Sequence, residues 1–401
     1  MTIASANILA SKERAQGPGP DLRVIAAAAV LLAGGMVALG GVIAWHQALL
    51  YLLGAALGLV LYHATFGFAS SWRRLVAERR GAGLRAQLVM LALASVIFLP
   101  LLAEGTLFGR PIGGAIAPVG VSVLVGAFLF GVGMQLGGAC ASGTLYTVGG
   151  GSTRMLVTLA FFVVGSLLGS AHLPWWLGQP SLGAVDLGRA LGMAPALGLQ
   201  LAVFAAVIAL SVVVERRRHG TLEERRAVPG PLWRRALQGP WPLILGGVLL
   251  ALLNAATLAA TGRPWTVSFG YTLWGAKIAS GLGIDVASWT FWTWPFPKRA
   301  LEASLFADTT SVMNFGIVVG ALLAAGLAGR FAPRRHLPLG PALAAVIGGL
   351  LMGYGARLAF GCNVGAYFSG IASGSLHGWV WFAAALIGTV LGNRLRPLFR
   401  L

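Results

Sequence analysis

Ten runs of mostly apolar residues divide this chain, at about 24–44, 48–68, 87–104, 119–136, 155–171, 191–214, 241–262, 311–328, 338–357 and 377–393. Each is close to the ~20 residues that an α-helix needs to cross a bilayer. Backbone polar groups in hydrocarbon must be satisfied inside their own segment, so such runs become packed helices and not open sheets. The expected fold class is all-α, a polytopic integral membrane protein of about ten transmembrane helices. Composition agrees: 57% of residues are hydrophobic and 10% charged, against about 25% charged in soluble domains. The net charge of +18 would by itself suggest nucleic acid. The basic residues, however, sit mostly in short segments between apolar runs, which is the pattern of membrane orientation, so the partner expected is the bilayer and not a nucleic acid. Two cysteines far apart make neither a disulfide framework nor a metal site. There is no Walker loop, HExxH or CxxCH, and the glycine-rich Gly149–Ser152 has no lysine after it. No catalytic residue, cofactor or metal is expected. The first 20 residues are polar and lack a short apolar core with a cleavage site, so no signal peptide is expected.

Arginines orient the chain. They cluster in 71–86 (Arg73, Arg74, Arg79, Arg80, Arg85), in 215–236 (Arg216, Arg217, Arg218, Arg225, Arg226, Arg234, Arg235), in RFAPRRH (Arg330, Arg334, Arg335) and in the tail (Arg394, Arg396, Arg400). Ten spans put all four clusters on one side together with both termini, and arginine bias assigns that side to the cytoplasm. The expected location is a bacterial inner membrane. The intervening 263–310 then faces outward, and Trp289, Trp292, Trp294 and Phe296 within it suit an interfacial aromatic belt.

The two cysteines mark a repeat. LFGVGMQLGGACASGTLYTV and IGGLLMGYGARLAFGCNVGAYFSG are each an apolar run with spaced glycines, a glycine-rich break, one cysteine, then small and hydroxylic residues with a tyrosine. Cys140 and Cys362 lie 222 residues apart, and the following spans keep that offset. Upstream, 48–104 matches 241–328 with an insertion holding YTLWGAKIASGLGIDVASWTFWTWPF. Four spans per copy and one helix between them give the copies opposite orientations, so the repeats are inverted. The resulting divisions are a tail at 1–23, a first helix plus first repeat at 24–171, a connecting helix and basic loop at 172–240, and a second repeat at 241–401. If the breaks dip into the bilayer, the thiols approach the midplane from opposite faces, the pattern of a transporter site. Irregular backbone at that depth is tolerated only inside protein or along a cavity.

GARLAFGCNVGAYFSGI, SLHGW and GGACASGTLY, with FGFASSWRRL and WGAK, resemble the signatures of the YeeE/YedE family of sulphur-transport membrane proteins, over about residues 48–396. The resemblance implies import of a small sulphur oxyanion, thiosulfate above all, passed along pore cysteines by S–H···S contacts. It carries that role onto Cys140 and Cys362. Where the family's thiosulfate importer has a third cysteine, this chain has Gly67.

Around the thiols, Gly138, Ser142, Gly143, Thr144, Gly361 and Asn363 form the candidate substrate path, with Tyr146 nearby. Hydroxyls, amides and the N-termini of resuming helices could donate to an oxyanion or satisfy local backbone. Arg357 could attract the anion or snorkel to the interface, and Lys277 has the same two readings. His63 and His377 fit caps or packing partners. An alternative activity is a membrane thiol that hands sulfane sulphur to a cytoplasmic sulphur carrier or sulfurtransferase, which needs an exposed, reactive thiolate. Transport of another sulphur or selenium species is a further alternative.

Overall fold

The computed structural model describes residues 19–223, 231–333 and 336–401. Arg225, Arg226, Arg334 and Arg335 lie outside the described residues. Within them, ten helical segments are long and apolar enough to cross a membrane, and each falls within a few residues of a run read from the sequence. They are built on α1 (Leu22–Ala38, continued by a π-turn to Ile43), α2 (Trp45–Ala64), α4 (Ala82–Glu104), α5 (Val121–Gly137), α7 (Thr153–Leu177), α8 (Met193–His219), α9 (Leu243–Thr261), α11 (Thr309–Leu327), α12 (Leu339–Leu358) and α13 (Leu376–Leu395). Several shorter helical pieces had no run of their own, among them α3 (Phe68–Glu78), α6 (Ala141–Gly149) and α10 (Ser268–Gly281).

The helices are mutually close because glycines meet backbone at their crossings, the way helices associate in lipid where packing replaces the hydrophobic drive. On α2, Gly54 and Gly58 sit on the carbonyls of Met313 and Ile317 in α11. In the centre, α5 crosses α12, where Gly126 lies against the Gly355 carbonyl and Gly133 against the Gly348 carbonyl. A methyl group at any of these positions would push the two backbones apart. Other major contacts join α7 to α12, α5 to α13, α4 to α9, α7 to α10 and α3 to α13. α1 lies on α11, and α8 lies on α4. Only 11% of the α1 apolar window and 17% of the α8 window are buried, against 72% for Val121–Gly149, so α1 and α8 are the peripheral, lipid-facing helices.

Two expectations change. The stretch 71–86 is not a loop. α3 runs through it to Glu78, and Glu215 at the end of α8 fastens the turn that follows: it accepts from the Gly81 N–H at 3.0 Å and pairs with Arg85 at 2.7 Å and Arg80 at 3.2 Å. Nor is 263–310 an external insertion from end to end. α10 buries Gly270, Tyr271, Leu273 and Ala276 and packs on α7. The aromatic belt is only partly a belt. Phe296 is 58% exposed, but Trp292 is buried and donates to Ser170 Oγ at 3.1 Å. An indole N–H needs a partner once it leaves the interface.

Candidate thiol site and its two vestibules

Each cysteine follows a helix that cannot continue. α5 ends at Gly138, whose φ of +94° is the left-handed conformation that costs glycine least. α12 ends in Phe360 and Gly361, with φ of +57° and +156°. The chain then restarts with the cysteine at the N-cap in both places. Both thiols are buried, Cys140 at 1% and Cys362 at 0% exposure.

At the first break the sulphur is part of the cap. Cys140 Sγ accepts from the Gly143 N–H at 3.3 Å, and the Ser142 hydroxyl lies 3.6 Å away. The Phe68 N–H, at the start of α3, also faces this sulphur. Thr144 donates back to the Cys140 carbonyl at 2.8 Å, and Thr147 to the Gly143 carbonyl at 2.6 Å. The N-termini of α3 and α6 thus converge on one thiol, where the unpaired N–H groups and the helix dipole favour negative charge.

At the second break the chain restarts as a π-turn, Asn363–Phe368. The Val364 and Gly365 N–H groups face Cys362 Sγ. Both polar atoms of the buried Asn363 amide and the hydroxyl of buried Tyr367 have no partner. Buried polar groups are nearly always satisfied, so three unpaired atoms on the turn that follows Cys362 mark polar capacity left unused there.

Tyr271 of α10 lies between the breaks. Its hydroxyl donates to the Ala141 carbonyl at 2.9 Å, and it is near enough to interact electrostatically with both thiols, which also interact with each other. Tyr367 in turn packs against Phe68 and Trp72 of α3. The structure therefore brings Cys140, Ser142, Gly143, Cys362 and Asn363 into one buried centre, with Gly138 and Gly361 turning the chain into it. Sequence reasoning missed Tyr271, although the match of FGY in α10 to FGF before α3 was available as a signal. It also missed Tyr367 as an open donor.

The two cations sit elsewhere. Lys277 donates to the carbonyls of Leu301 and Ala303 at 2.8 and 2.7 Å, fastening the segment Pro295–Glu302 to α10. The Arg357 guanidinium lies 4.9 Å above the Phe291 ring, and its Cβ faces Gly169 of α7. His377 Nδ1 is 2.6 Å from Ser375 Oγ, and the His63 ring packs on Trp241. Both histidines fit the cap and packing roles.

A cavity opens toward each end of the centre. One, of 440 Å³, is lined by Arg263, Trp265, Thr266, Phe296, Arg299 and Asp308 among others; Thr266 is the residue next to Gly365 of the second break. The other, of 520 Å³, is lined by Tyr62, Tyr146, Thr147, Arg154 and His336, and a smaller one of 220 Å³ next to it holds His63 and Arg330. Tyr146 and Thr147 belong to α6, so this second cavity leads to the first break. Arginines gather at that end. Arg154 and Arg396 cap the last carbonyls of α5, at 2.6 Å to Leu136 and 2.7 Å to Gln135, with Arg73 close by.

A family model described as sulphur transport matches residues 63–391. The chain is 30% identical over 356 residues to a protein of Spirochaeta thermophila named thiosulfate transporter TsuA, a match that spans 85% of this chain and 95% of the relative. It is 24% identical over 347 residues to the Escherichia coli protein of the same name. It is 32% identical over 166 residues to the Escherichia coli probable transporter YedE, and that match spans 40% of each chain. These relatives are named as transporters, not enzymes. With the family model running from the end of α2 to the last turn of α13 and taking in both thiol-bearing breaks, the chain belongs to the YeeE/YedE family of sulphur-transport membrane proteins.

Proposed function

We propose that this protein imports a small sulphur-containing anion, thiosulfate first among them, across a bacterial inner membrane along Cys140 and Cys362. The observation that carries the reading is the buried centre itself: two thiols, each at a helix restart, with Tyr271 close to both and a cavity lined in part by arginine and hydroxyl side chains near each break. A dianion stripped of water needs partners throughout its path. Neutral thiols, hydroxyls, amides and backbone N–H groups supply them and still release the ion, as conduction requires. Lys277 is engaged by two backbone carbonyls and the Arg357 guanidinium faces the Phe291 ring, so the proposed path is one of neutral donors around the thiols. The burial of both sulphurs favours a protonated relay over a persulfide carrier, because a nucleophilic thiolate should be accessible to its partner protein. A cytoplasmic sulphur carrier or sulfurtransferase would then receive the anion after release, at the arginine-rich end.

The repeats are proposed to be inverted, with five spans in each. The 222-residue offset between the cysteines also carries Gly126 onto Gly348 and Gly133 onto Gly355, so the two glycine contacts at the α5–α12 crossing exchange with each other. Gly131 on the Ala385 carbonyl is likewise answered by Gly353 on the Phe162 carbonyl. The α1–α11 contact is answered by α8–α4, which supports counting α8 as the first helix of the second copy in this proposal. An odd number of spans per copy reverses the second, so both termini are assigned to the cytoplasm, on the side of the Arg73, Arg154 and Arg396 group.

Uptake of radiolabelled thiosulfate into proteoliposomes, with sulfate, sulfite and selenium analogues as competitors, tests the reading. Uptake that thiosulfate analogues do not compete, or that a Cys140→Ala/Cys362→Ala double variant leaves intact, would overturn it. Labelling of residue 218 by an impermeant reagent from the outer face would overturn the assigned orientation.

A further inference from the structure

The short helix Leu232–Gln238 is inside out for a surface helix in water. Leu232, Trp233, Ala236 and Leu237 share one face, and that face is exposed: Leu232 at 79%, Trp233 at 64% and Leu237 at 47%. Arg234, Arg235 and Gln238 fall on the opposite face and are part-buried, with α11 as the neighbouring helix. A helix on a water-soluble protein turns its apolar stripe to the core. The chain that follows fixes the height of this one. The Trp241 N–H donates to the carbonyl of His63, in the last turn of α2, at 2.8 Å, and its Nε1–H donates back to the Ala236 carbonyl at 2.9 Å. A Cβ at Gly239 would lie 3.0 Å from His63 Nδ1, so the link between helix and span is close. α9 then starts at Leu243. The helix therefore sits level with the ends of two spans, at the arginine-rich end. Its exposed face is followed directly by Ile244, Leu245 and Leu252, the exposed large apolar residues of α9.

We infer that Leu232–Gln238 is an interfacial helix, lying in the plane of the membrane surface with its Leu232, Trp233, Ala236 and Leu237 face among the acyl chains of that leaflet. Tryptophan and leucine on one side and arginine on the other are the composition of helices that lie on a bilayer. An indole suits the boundary between an apolar and a wet phase, and two arginines beside it suit anionic headgroups. The occupant of the face is the lipid and not a second copy or a soluble partner, because the face runs on into the lipid-facing side of α9. The placement bears on the centre of the molecule. Gln238, the last residue of the helix, and Pro240 line the 220 Å³ cavity together with His63, Arg330 and Tyr146 of α6. A helix held in the leaflet thus fixes one wall of the cavity beside the first break, whatever ion the protein carries.

The test places a fluorophore on that face in the full-length protein, in nanodiscs of phosphatidylcholine and phosphatidylglycerol. Trp233→Cys and Leu237→Cys are each labelled with a nitrobenzoxadiazole maleimide. Wild-type protein, whose two cysteines are both buried, supplies the background. Arg217→Cys, at an exposed residue in the last turn of α8, is the reference for a label in water. Labels at 233 and 237 are expected to be quenched about twofold by lipids with a nitroxide high on the acyl chain and scarcely by iodide, as for side chains about 5–10 Å into the headgroup boundary. The label at 217 is expected to show the reverse. The two sites are read separately, so a variant that fails to fold leaves the other to decide. Iodide quenching at 233 and 237 equal to that at 217 overturns the inference and leaves the face in water. Shielding from both quenchers also overturns it, and assigns the face to a protein partner or a second copy.

Discussion

The two breaks begin alike and end differently. At the first, the thiol caps a regular helix, and the Thr144 and Thr147 hydroxyls turn back onto local carbonyls. At the second, the same kind of sequence restarts as a π-turn and leaves the Asn363 amide and the Tyr367 hydroxyl unpaired. Similar composition therefore does not mean an equivalent role. A break whose donors are satisfied is a finished piece of scaffold that presents one sulphur. A break with unpaired buried groups has given up local stability, a trade that in the proposed path leaves the Asn363 amide and the Tyr367 hydroxyl for the anion.

Removing either sulphur should have the largest effect and should not separate the breaks. Cys140→Ala and Cys362→Ala are each expected to lower proteoliposome uptake about a hundredfold, on the order of the ~3 kcal/mol lost with a desolvated partner. Cys→Ser should fail as well, since the polarizable sulphur is what matters. Full uptake by either Ser variant would mean that any small donor suffices.

Next come the turns, where the breaks should begin to differ. An added Cβ at Gly361 would lie 2.7 Å from the Ala366 backbone nitrogen, whereas at Gly138 the first neighbour is the flexible end of Met155 at 3.3 Å. Gly361→Val should cost about tenfold in uptake, with Gly138→Val nearer threefold plus the ~1–2 kcal/mol of left-handed strain. The reverse order would mean that the first break is the tighter one.

The open donors give the sharpest contrast. Asn363→Leu or Tyr367→Phe should lower uptake about tenfold and leave thermal stability unchanged or higher, because each removes an unsatisfied buried group. Thr144→Val should do the opposite, costing about 1 kcal/mol of stability with little change in transport. Equal stability losses at both breaks would erase the distinction.

The smallest effect lies in the cavity lined by Arg263, Arg299 and Asp308. Burial pushes the Asp308 carboxyl above its ordinary range, against the opposing pull of the Ser311 N–H and Lys277. Arg263 and Arg299 line the same cavity with it. As pH falls through the raised value the carboxylate is neutralised, so thiosulfate affinity should rise about twofold to threefold on mild acidification. Asp308→Asn should remove that rise and bind more tightly at neutral pH. A pH profile identical to wild type would exclude Asp308 as its source.

Much of this was legible from residues alone. Ten apolar runs are a direct demand of the bilayer, and the glycine–cysteine motifs pointed to the buried centre through Cys140, Ser142, Cys362 and Asn363. The charges were not legible in the same way. Lys277 and Arg357 each had two readings, anion attraction or an interfacial role, and only packing showed that Lys277 meets the carbonyls of Leu301 and Ala303 and Arg357 the face of Phe291. Tyr271 was hidden because α10 is too short and too polar to register as a span.

The sequence by itself determined the class, the number of spans and the places where helices must stop, because hydrocarbon imposes length and glycine imposes turns one residue at a time. Only the tertiary structure decided which of those stops share a centre. It brought Tyr271 of α10 close to both thiols, and satisfied one break and not the other. Such outcomes depend on which backbone groups meet across crossings that are hundreds of residues apart in the chain, and no local pattern encodes that pairing.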